Sequence, residues 1–199
     1  MLFYLAPMEG ITGYIVRNAY AHYFPYIDKY FTPFIPAAKK MSKKIKRDLA
    51  AENNEQIRLV PQLIGNRADE FLMMIRQLEE LGFTSVNLNF GCPSGTVVSK
   101  RKGAGFLADP KELEMLLEEV LEKSPLAVSV KTRVGIKDPD EWEALRCLCK
   151  VSAGRTDYSS APAERLLQRN TADGNICPCS GADPCAALLQ WRYMQCGRL

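Results

Sequence analysis

Hydrophobic residues recur with two alternating periods over residues 2–145, and this alternation predicts strands and helices in turn. Short apolar runs predict five strands, at Leu2–Leu5, Lys29–Phe31, Leu59–Ile64, Thr84–Asn89 and Leu126–Lys131. Segments with helical spacing predict helices at Tyr14–His22, at Lys43–Ala51, at Asp69–Leu81, from Asp109-Pro110 through Lys123, and from Asp138-Pro139 onward. The third helix carries one apolar face, made of Phe71, Leu72, Ile75, Leu78 and Leu81, with Gly82 as its C-cap.

Strands that alternate with helices through short loops predict an α/β fold with parallel strands and right-handed crossovers. Candidate site residues stand at or just after the predicted strand ends, namely Met8, Gln62, Asn89, Cys92 and Lys131. A (β/α)₈ TIM barrel keeps its active site at that end of its strands, and a complete barrel takes about 250 residues. We therefore expect a TIM barrel of which only the N-terminal strands are present.

Cys92 is the strongest candidate for chemistry. It lies between Gly91 and Pro93, directly after the predicted strand Thr84–Asn89. A cysteine at the mouth of a strand is well placed to meet a ligand, although a lone cysteine is often only a small buried hydrophobe. The Gly-Ala-Gly segment at 103–105 is interpreted as leaving room for a flat substrate or cofactor.

The distribution of charge along the chain is more informative than its total. The formal net charge of +3 argues for no partner, but the basic residues are clustered. One cluster comprises Lys39, Lys40, Lys43, Lys44, Lys46 and Arg47, and we interpret it as a solvated face. The other comprises Lys100, Arg101 and Lys102 beside Cys92, where cations suit a phosphate backbone. No apolar run reaches the length of a membrane span and residues 1–5 lack a basic leader, so we expect a cytoplasmic protein.

Residues 89–105 carry a family resemblance. Asn-x-Gly-Cys-Pro at 89–93, followed by Val97 and by Gly-Ala at 103–104, resembles the signature of the tRNA-dihydrouridine synthases. Three further segments agree in order: Leu-Ala-Pro-Met-Glu-Gly-Ile-Thr at 5–12, Pro-Gln-Leu at 61–63 and Lys-Thr-Arg-Val-Gly at 131–135. The resemblance runs from about Leu2 to Leu145, so we assign a partial FMN-binding barrel to residues 1–145.

The resemblance implies an enzyme that binds FMN, takes electrons from NAD(P)H and reduces uridine in tRNA to 5,6-dihydrouridine. It implies that Cys92 is the catalytic acid, since a thiol with an ordinary pKa is largely protonated at neutral pH. The implied flavin-binding residues are Pro7, Met8, Glu9, Gln62 and Lys131. The implied substrate-binding residues are Asn89, for the uracil edge, and Lys100, Arg101 and Lys102, for tRNA. We expect no metal site and a monomer.

The tail at 146–199 differs from the rest of the chain. It contains six of the seven cysteines, and neither strand–helix alternation nor an amphipathic period is found there. Back-translated and shifted by one nucleotide, three of its segments yield Ile-Ile-His-Pro, Asp-Phe-Tyr-Lys-Gly and Asn-Gly-Asp, in the order in which similar strings occur in the family's second half. We interpret the tail as frameshifted and unstructured. The chain as written is then expected to be a weak catalyst or inactive.

Two other hypotheses about the function stay open. One is another FMN barrel that acts on a free pyrimidine, as dihydroorotate dehydrogenases do. The other is a non-catalytic fragment that binds RNA or a metal, since Cys147, Cys149, Cys177 and Cys179 form two C-x-C pairs. Zinc sites more often use C-x₂-C spacing, and the tail contains no histidine.

Overall fold

The computed structural model describes residues 3–133. The chain divides into two compact units. Of the described residues, 3–89 and Glu119–Ser129 belong to one unit, and Phe90–Glu118 and 130–133 belong to the other. The helix predicted from Asp138 and the tail at 146–199 lie outside the described residues. Among residues 3–133, every helix is too short or too polar to cross a membrane.

Within residues 3–133, seven short strands form two sheets. They are β1 Tyr4–Leu5, β2 Lys29–Phe31, β3 Ile35–Pro36, β4 Leu59–Val60, β5 Gln62–Ile64, β6 Ser85–Phe90 and β7 Ala127–Thr132. One sheet has the order β1-β2-β4 and the other has the order β3-β5-β6-β7. The pairs β1–β2, β2–β4, β3–β5 and β5–β6 are all parallel, which confirms the parallel α/β expectation.

Five α-helices accompany these strands in the described part of the chain. They are α1 Tyr14–Tyr23, α2 Lys43–Leu49, α3 Ala68–Glu80, α4 Gly95–Val98 and α5 Pro110–Lys123, with 3₁₀ helices at Ala51–Asn53 and Gly103–Ala108. The predicted cap of α5 is confirmed, because the Asp109 carboxylate accepts a hydrogen bond from the amide of Glu112 at 3.1 Å. Pro110 then takes the first helical position, where its missing N–H has no intrahelical partner to lose.

The single strand predicted at Leu59–Ile64 is wrong. Pro61 divides it, since proline has no N–H to donate to a ladder. β4 pairs with β2 in one sheet, whereas β5 pairs with β3 and β6 in the other. The carbonyl of Pro61 still accepts a hydrogen bond from Asn87 N at 2.9 Å. Gln62 consequently begins a strand instead of following the end of one.

The apolar face predicted for α3 is confirmed for four of its five residues. Phe71, Leu72, Ile75 and Leu78 are buried, together with Met74. Leu81, however, is 51% exposed, because α3 ends at Glu80. Gly82 follows in the left-handed conformation (φ +87°) and its amide bonds to Glu79 O at 2.8 Å, which closes the helix as predicted.

The second unit has its own apolar centre. Phe90, at the end of β6, stacks on Phe106 with ring centroids 5.7 Å apart, and both rings are almost fully buried. Leu113 and Leu117 of α5 are also buried. This packing fixes the segment on either side of Cys92.

Candidate active site

A tight turn follows β1 and contains three of the predicted site residues. The Thr12 hydroxyl accepts a hydrogen bond from Met8 N at 2.8 Å and donates one to Met8 O at 3.1 Å, while Gly10 takes a positive φ of +76°. Pro7 is half-buried, Glu9 is exposed, and the Met8 side chain is 50% exposed. The turn therefore holds its backbone rigidly and presents an apolar side chain outward.

A buried arginine supports this turn. Arg17 of α1 is 0% exposed, and its guanidinium donates to Thr12 O at 2.9 Å, to Asn54 Oδ1 at 2.9 Å and to Asp48 Oδ2 at 3.0 Å. The other Asp48 oxygen accepts from the amide of Tyr14, which opens α1. Burial lowers the pKa of Arg17, and the Asp48 carboxylate opposes that shift. This ion pair thus joins the turn, α1 and α2.

Two predicted residues, Gln62 and Asn89, lie in one buried chain of side-chain hydrogen bonds. Gln62 Nε2 donates to Asn87 Oδ1 at 2.7 Å, and Asn89 Nδ2 donates to Gln62 Oε1 at 2.8 Å. At its other end, Asn87 Nδ2 donates to Ser129 Oγ at 2.9 Å. All three carboxamides are at most 5% exposed, so the two bonds between carboxamides are made away from bulk solvent.

The direction of this chain is set by a backbone carbonyl. The Ser129 hydroxyl donates its only proton to Val86 O at 3.1 Å, so its lone pairs are left to accept from Asn87. Asn87 must then offer its oxygen to Gln62, and Gln62 must offer its oxygen to Asn89. The orientation of the Asn89 carboxamide is in this way determined by a serine 40 positions further along the sequence.

Cys92 lies two residues after β6 and is half-buried. Its carbonyl accepts a hydrogen bond from Ala104 N at 3.0 Å. Gly103 (φ +54°) permits this approach, because a Cβ there would lie 2.8 Å from Cys92 O. A Cβ on Gly105 would lie 2.7 Å from Val98 O. The expectation that these glycines leave room for a ligand is wrong, since the loop's own backbone fills that space.

Lys131, the fifth residue of β7, belongs to the same unit as Cys92. Burial lowers the pKa of its ammonium group, the Arg133 cation lowers the pKa further, and the electrostatic interaction with Cys92 opposes both. Among residues 3–133, no carboxylate lies within 4.0 Å of the Lys131 amine. A half-buried cation with no carboxylate beside it in the described part of the chain suits an anionic ligand.

Lys131→Met is expected to raise the free energy of unfolding at pH 7. The lowered pKa means that the folded state disfavours the charged amine, so the native lysine destabilises the fold while it is protonated. This cost disappears as the pH rises through the lowered pKa towards the ordinary 10.5, and the advantage of the variant should shrink over that window. Urea unfolding between pH 7 and pH 10.5 measures the difference.

Lys123→Met is the matched control, because the Lys123 ammonium is paired with Glu119 at 2.9 Å and its pKa is raised. That variant should not be stabilised at pH 7. An Lys131→Met protein that is less stable than the wild type at pH 7 would contradict the assignment of Lys131 as a destabilising buried cation.

The three basic residues after Cys92 have different surroundings. The Arg101 guanidinium pairs with Glu112 at 2.6 Å and with Asp109 at 3.6 Å, and its backbone has a positive φ of +52°. Lys100 is exposed, whereas Lys102 is half-buried. Arg101 therefore already meets two carboxylates that belong to the protein itself.

Sequence reasoning missed four residues that hold the predicted ones in place. Asn87 and Ser129 orient Gln62 and Asn89, and Arg17 with Asp48 anchors the turn at Met8. A signal was available for Asn87, which stands two residues before Asn89 and therefore on the same face of strand β6. Arg17 gave none, because an arginine in an amphipathic helix is ordinarily on the exposed face.

The described elements thus define a parallel α/β protein with polar groups on consecutive strands and a cysteine two residues after β6. The family model described as dihydrouridine synthase matches residues 4–154 of this chain. The match ends nine residues beyond the predicted boundary at Leu145. Because this match covers most of the chain, the protein belongs to the dihydrouridine synthase family. The family fold is a TIM barrel, and the described strands form part of one.

Individual relatives agree with this assignment. A probable tRNA-dihydrouridine synthase of Staphylococcus epidermidis is 31% identical over 144 residues, which cover 70% of this chain and 43% of the relative. The probable tRNA-dihydrouridine synthase 2 of Bacillus subtilis shows the same figures. A tRNA-dihydrouridine(20/20a) synthase of Vibrio parahaemolyticus is 36% identical over 120 residues, or 60% of this chain and 34% of the relative. The chain spans less than half the length of these curated relatives.

Proposed function

We propose that this chain carries the N-terminal part of a tRNA-dihydrouridine synthase that uses FMN and NAD(P)H to reduce uridine in tRNA. The main support is that Cys92 follows β6 and interacts electrostatically with Lys131. The chain also belongs to the dihydrouridine synthase family. We further propose a cytoplasmic monomer that needs no metal. Among residues 3–133, no group of three or more histidine, cysteine or carboxylate side chains could hold a metal ion.

The chain's own residues suit the proton half of the reaction. Saturating the C5–C6 bond of uracil requires a hydride at C6 and a proton at C5. When bound, reduced flavin supplies the hydride. Cys92 donates the proton from Sγ to C5, and the thiolate that remains is stabilised by the nearby Lys131 ammonium. A thiolate beside a cation has a lower free energy than a thiolate in a neutral site, so the thiol gives up its proton more readily.

Recognition of the base falls to Asn89. A carboxamide offers both a donor and an acceptor, as the uracil edge requires. The serine-anchored chain of hydrogen bonds fixes which way Asn89 points before any ligand arrives, so no reorientation is needed on binding. The target base must leave its stack to reach such a site.

Each unit, taken by itself, offers groups that suit a flavin. Met8 and Pro7 offer an apolar surface on a turn whose backbone is already fixed, and Met8 is 50% exposed. In the other unit, Lys131 offers a cation with no carboxylate near it among the described residues, which suits negative charge at flavin N1/O2. Gln62 is buried and bonded to Asn87 and Asn89, and we assign its remaining N–H and lone pair to the flavin's pyrimidine edge. Glu9 is assigned to flavin binding from the same turn as Met8. Lys100, Arg101 and Lys102 are assigned to tRNA.

The proposal is tested by the substrate that reoxidises the flavin. FMN-loaded protein is reduced with NADPH without oxygen and then mixed with an unmodified tRNA transcript or with orotate. We expect tRNA to restore flavin absorbance and to gain dihydrouridine. Reoxidation by orotate alone would instead indicate a free-pyrimidine oxidoreductase. The same assay on the longer product of a frame-corrected gene separates a wrong function from an incomplete chain.

A further inference from the structure

The basic segment at 39–47 differs from an ordinary solvated surface. Six of its nine residues are lysine or arginine, and all six are exposed. They are Lys39, Lys40, Lys43, Lys44, Lys46 and Arg47, here named the basic ridge. Among residues 3–133, none of the six forms an ion pair.

The carboxylate within α2 does not neutralise the ridge. Asp48 directs one oxygen to the amide of Tyr14 and the other to the buried Arg17. Its charge is thus committed to the interior of the unit. Arg101, in the other basic cluster, is by contrast neutralised by Glu112 and Asp109. The basic ridge is therefore the larger uncompensated positive surface among the described residues.

Keeping these charges on α2 is unfavourable for the helix itself. Lys43 and Arg47 are spaced i,i+4, and such like-charge pairs repel. The first turn contains Lys43 and Lys44 and no acidic residue, although the helix dipole favours negative charge there. Lys43, Lys44 and Arg47 also line one surface depression. A bound polyanion would relieve both kinds of repulsion.

We propose that the basic ridge is a docking surface for the phosphate backbone of RNA. The proposal rests on the proposed function, since it gives the tRNA substrate a second area of contact, carried by α2 and the residues before it. Six closely spaced cations match a backbone that carries one negative charge per nucleotide. No contact with a base is required, so the surface increases affinity without reading sequence.

The test measures the affinity of the 199-residue chain for a fluorescent tRNA transcript by anisotropy, without flavin, from 50 to 200 mM KCl. The ridge variant is Lys43→Gln with Lys44→Gln and Arg47→Gln. The matched control removes three other exposed cations, two in the same unit by Arg58→Gln and Arg76→Gln, and one in the other unit by Lys111→Gln. Both variants change the formal net charge from +3 to 0.

Each lost phosphate contact should reduce the slope of log Kd against log salt by roughly 0.7–0.9. The slope of the ridge variant should therefore be smaller than that of the wild type by roughly 2–3. Raising the salt from 50 to 200 mM should then weaken binding of the variant by a factor roughly 30 times smaller than the factor for the wild type. The control should lose less than half as much. Each single substitution should reduce the slope by roughly 0.7–0.9, the value for one phosphate contact. The charge-preserving set Lys43→Arg, Lys44→Arg and Arg47→Lys should keep the wild-type slope.

Equal losses in the ridge and control variants would overturn the proposal, because net charge alone would then explain binding. Binding of vesicles of phosphatidylserine and phosphatidylcholine that needs the ridge, with tRNA binding that does not, would overturn it in favour of a membrane surface. Failure of the catalytic proposal looks different. There, ridge-dependent tRNA binding persists while tRNA neither reoxidises the flavin nor gains dihydrouridine, and the docking surface stands.

Discussion

In the longer product of a frame-corrected gene, Cys92→Ala is expected to reduce dihydrouridine formation roughly 10²–10⁴-fold, the range typical of removing a positioned acid. The substitution removes Sγ alone. The loop is held through the Cys92 carbonyl, which accepts from Ala104 N, and alanine keeps that bond and fits beside Gly103. Folding and flavin retention should therefore survive. What is lost is the proton for C5, with a thiolate no longer formed beside Lys131.

Three measurements distinguish this outcome from a damaged loop: flavin content, flavin reduction by NADPH and dihydrouridine in tRNA. Only the third should fall. Ser94→Ala is the matched control, since it removes one heteroatom from an exposed position in the same loop. It should leave all three measurements near the wild type. Normal dihydrouridine formation in Cys92→Ala would show that another group is the acid.

The elements that depend on local pattern could be predicted from the sequence. The α3 face follows from helical spacing, and the cap of α5 follows from an Asp-Pro pair. The division of 59–64 into β4 and β5 could not be predicted from apolar pattern, because both halves are buried. Pro61 was the available signal. A run that contains proline should have been divided, since the missing N–H prevents a continuous ladder.

The candidate site, too, could be predicted only in part. Cys92 could be identified because its loop signature is contiguous, and Lys131 because it ends a strand in a second motif. The support of Asn89 could not, since it passes through Gln62 and Asn87 to Ser129, and depends on the direction of a hydroxyl proton. Sequence separation hides such chains, because the parallel strands bring together residues 25–42 positions apart.

Asp48→Asn is expected to lower the free energy of unfolding by about 3 kcal/mol, the lower end of the range for breaking a buried ion pair, since the Asp48 side chain keeps 23% exposure. The new amide presents N–H to one of two groups that already donate, Tyr14 N or the Arg17 guanidinium. The arginine also loses the charge that opposes its desolvation. The Met8–Thr12 turn depends on that arginine, so flavin retention should fall as well.

Asp69→Asn provides the comparison, because it makes the same change in the exposed pair with Arg67. Solvent already screens that pair, and its loss should leave the unfolding midpoint in urea close to that of the wild type. If Asp48→Asn matched Asp69→Asn in stability, the remaining acceptors of Arg17, at Thr12 O, Asp48 O and Asn54, would suffice to hold the guanidinium. A stable Asp48→Asn protein that still lost flavin would separate the two effects, and would show that the ion pair positions the turn more than it stabilises the fold.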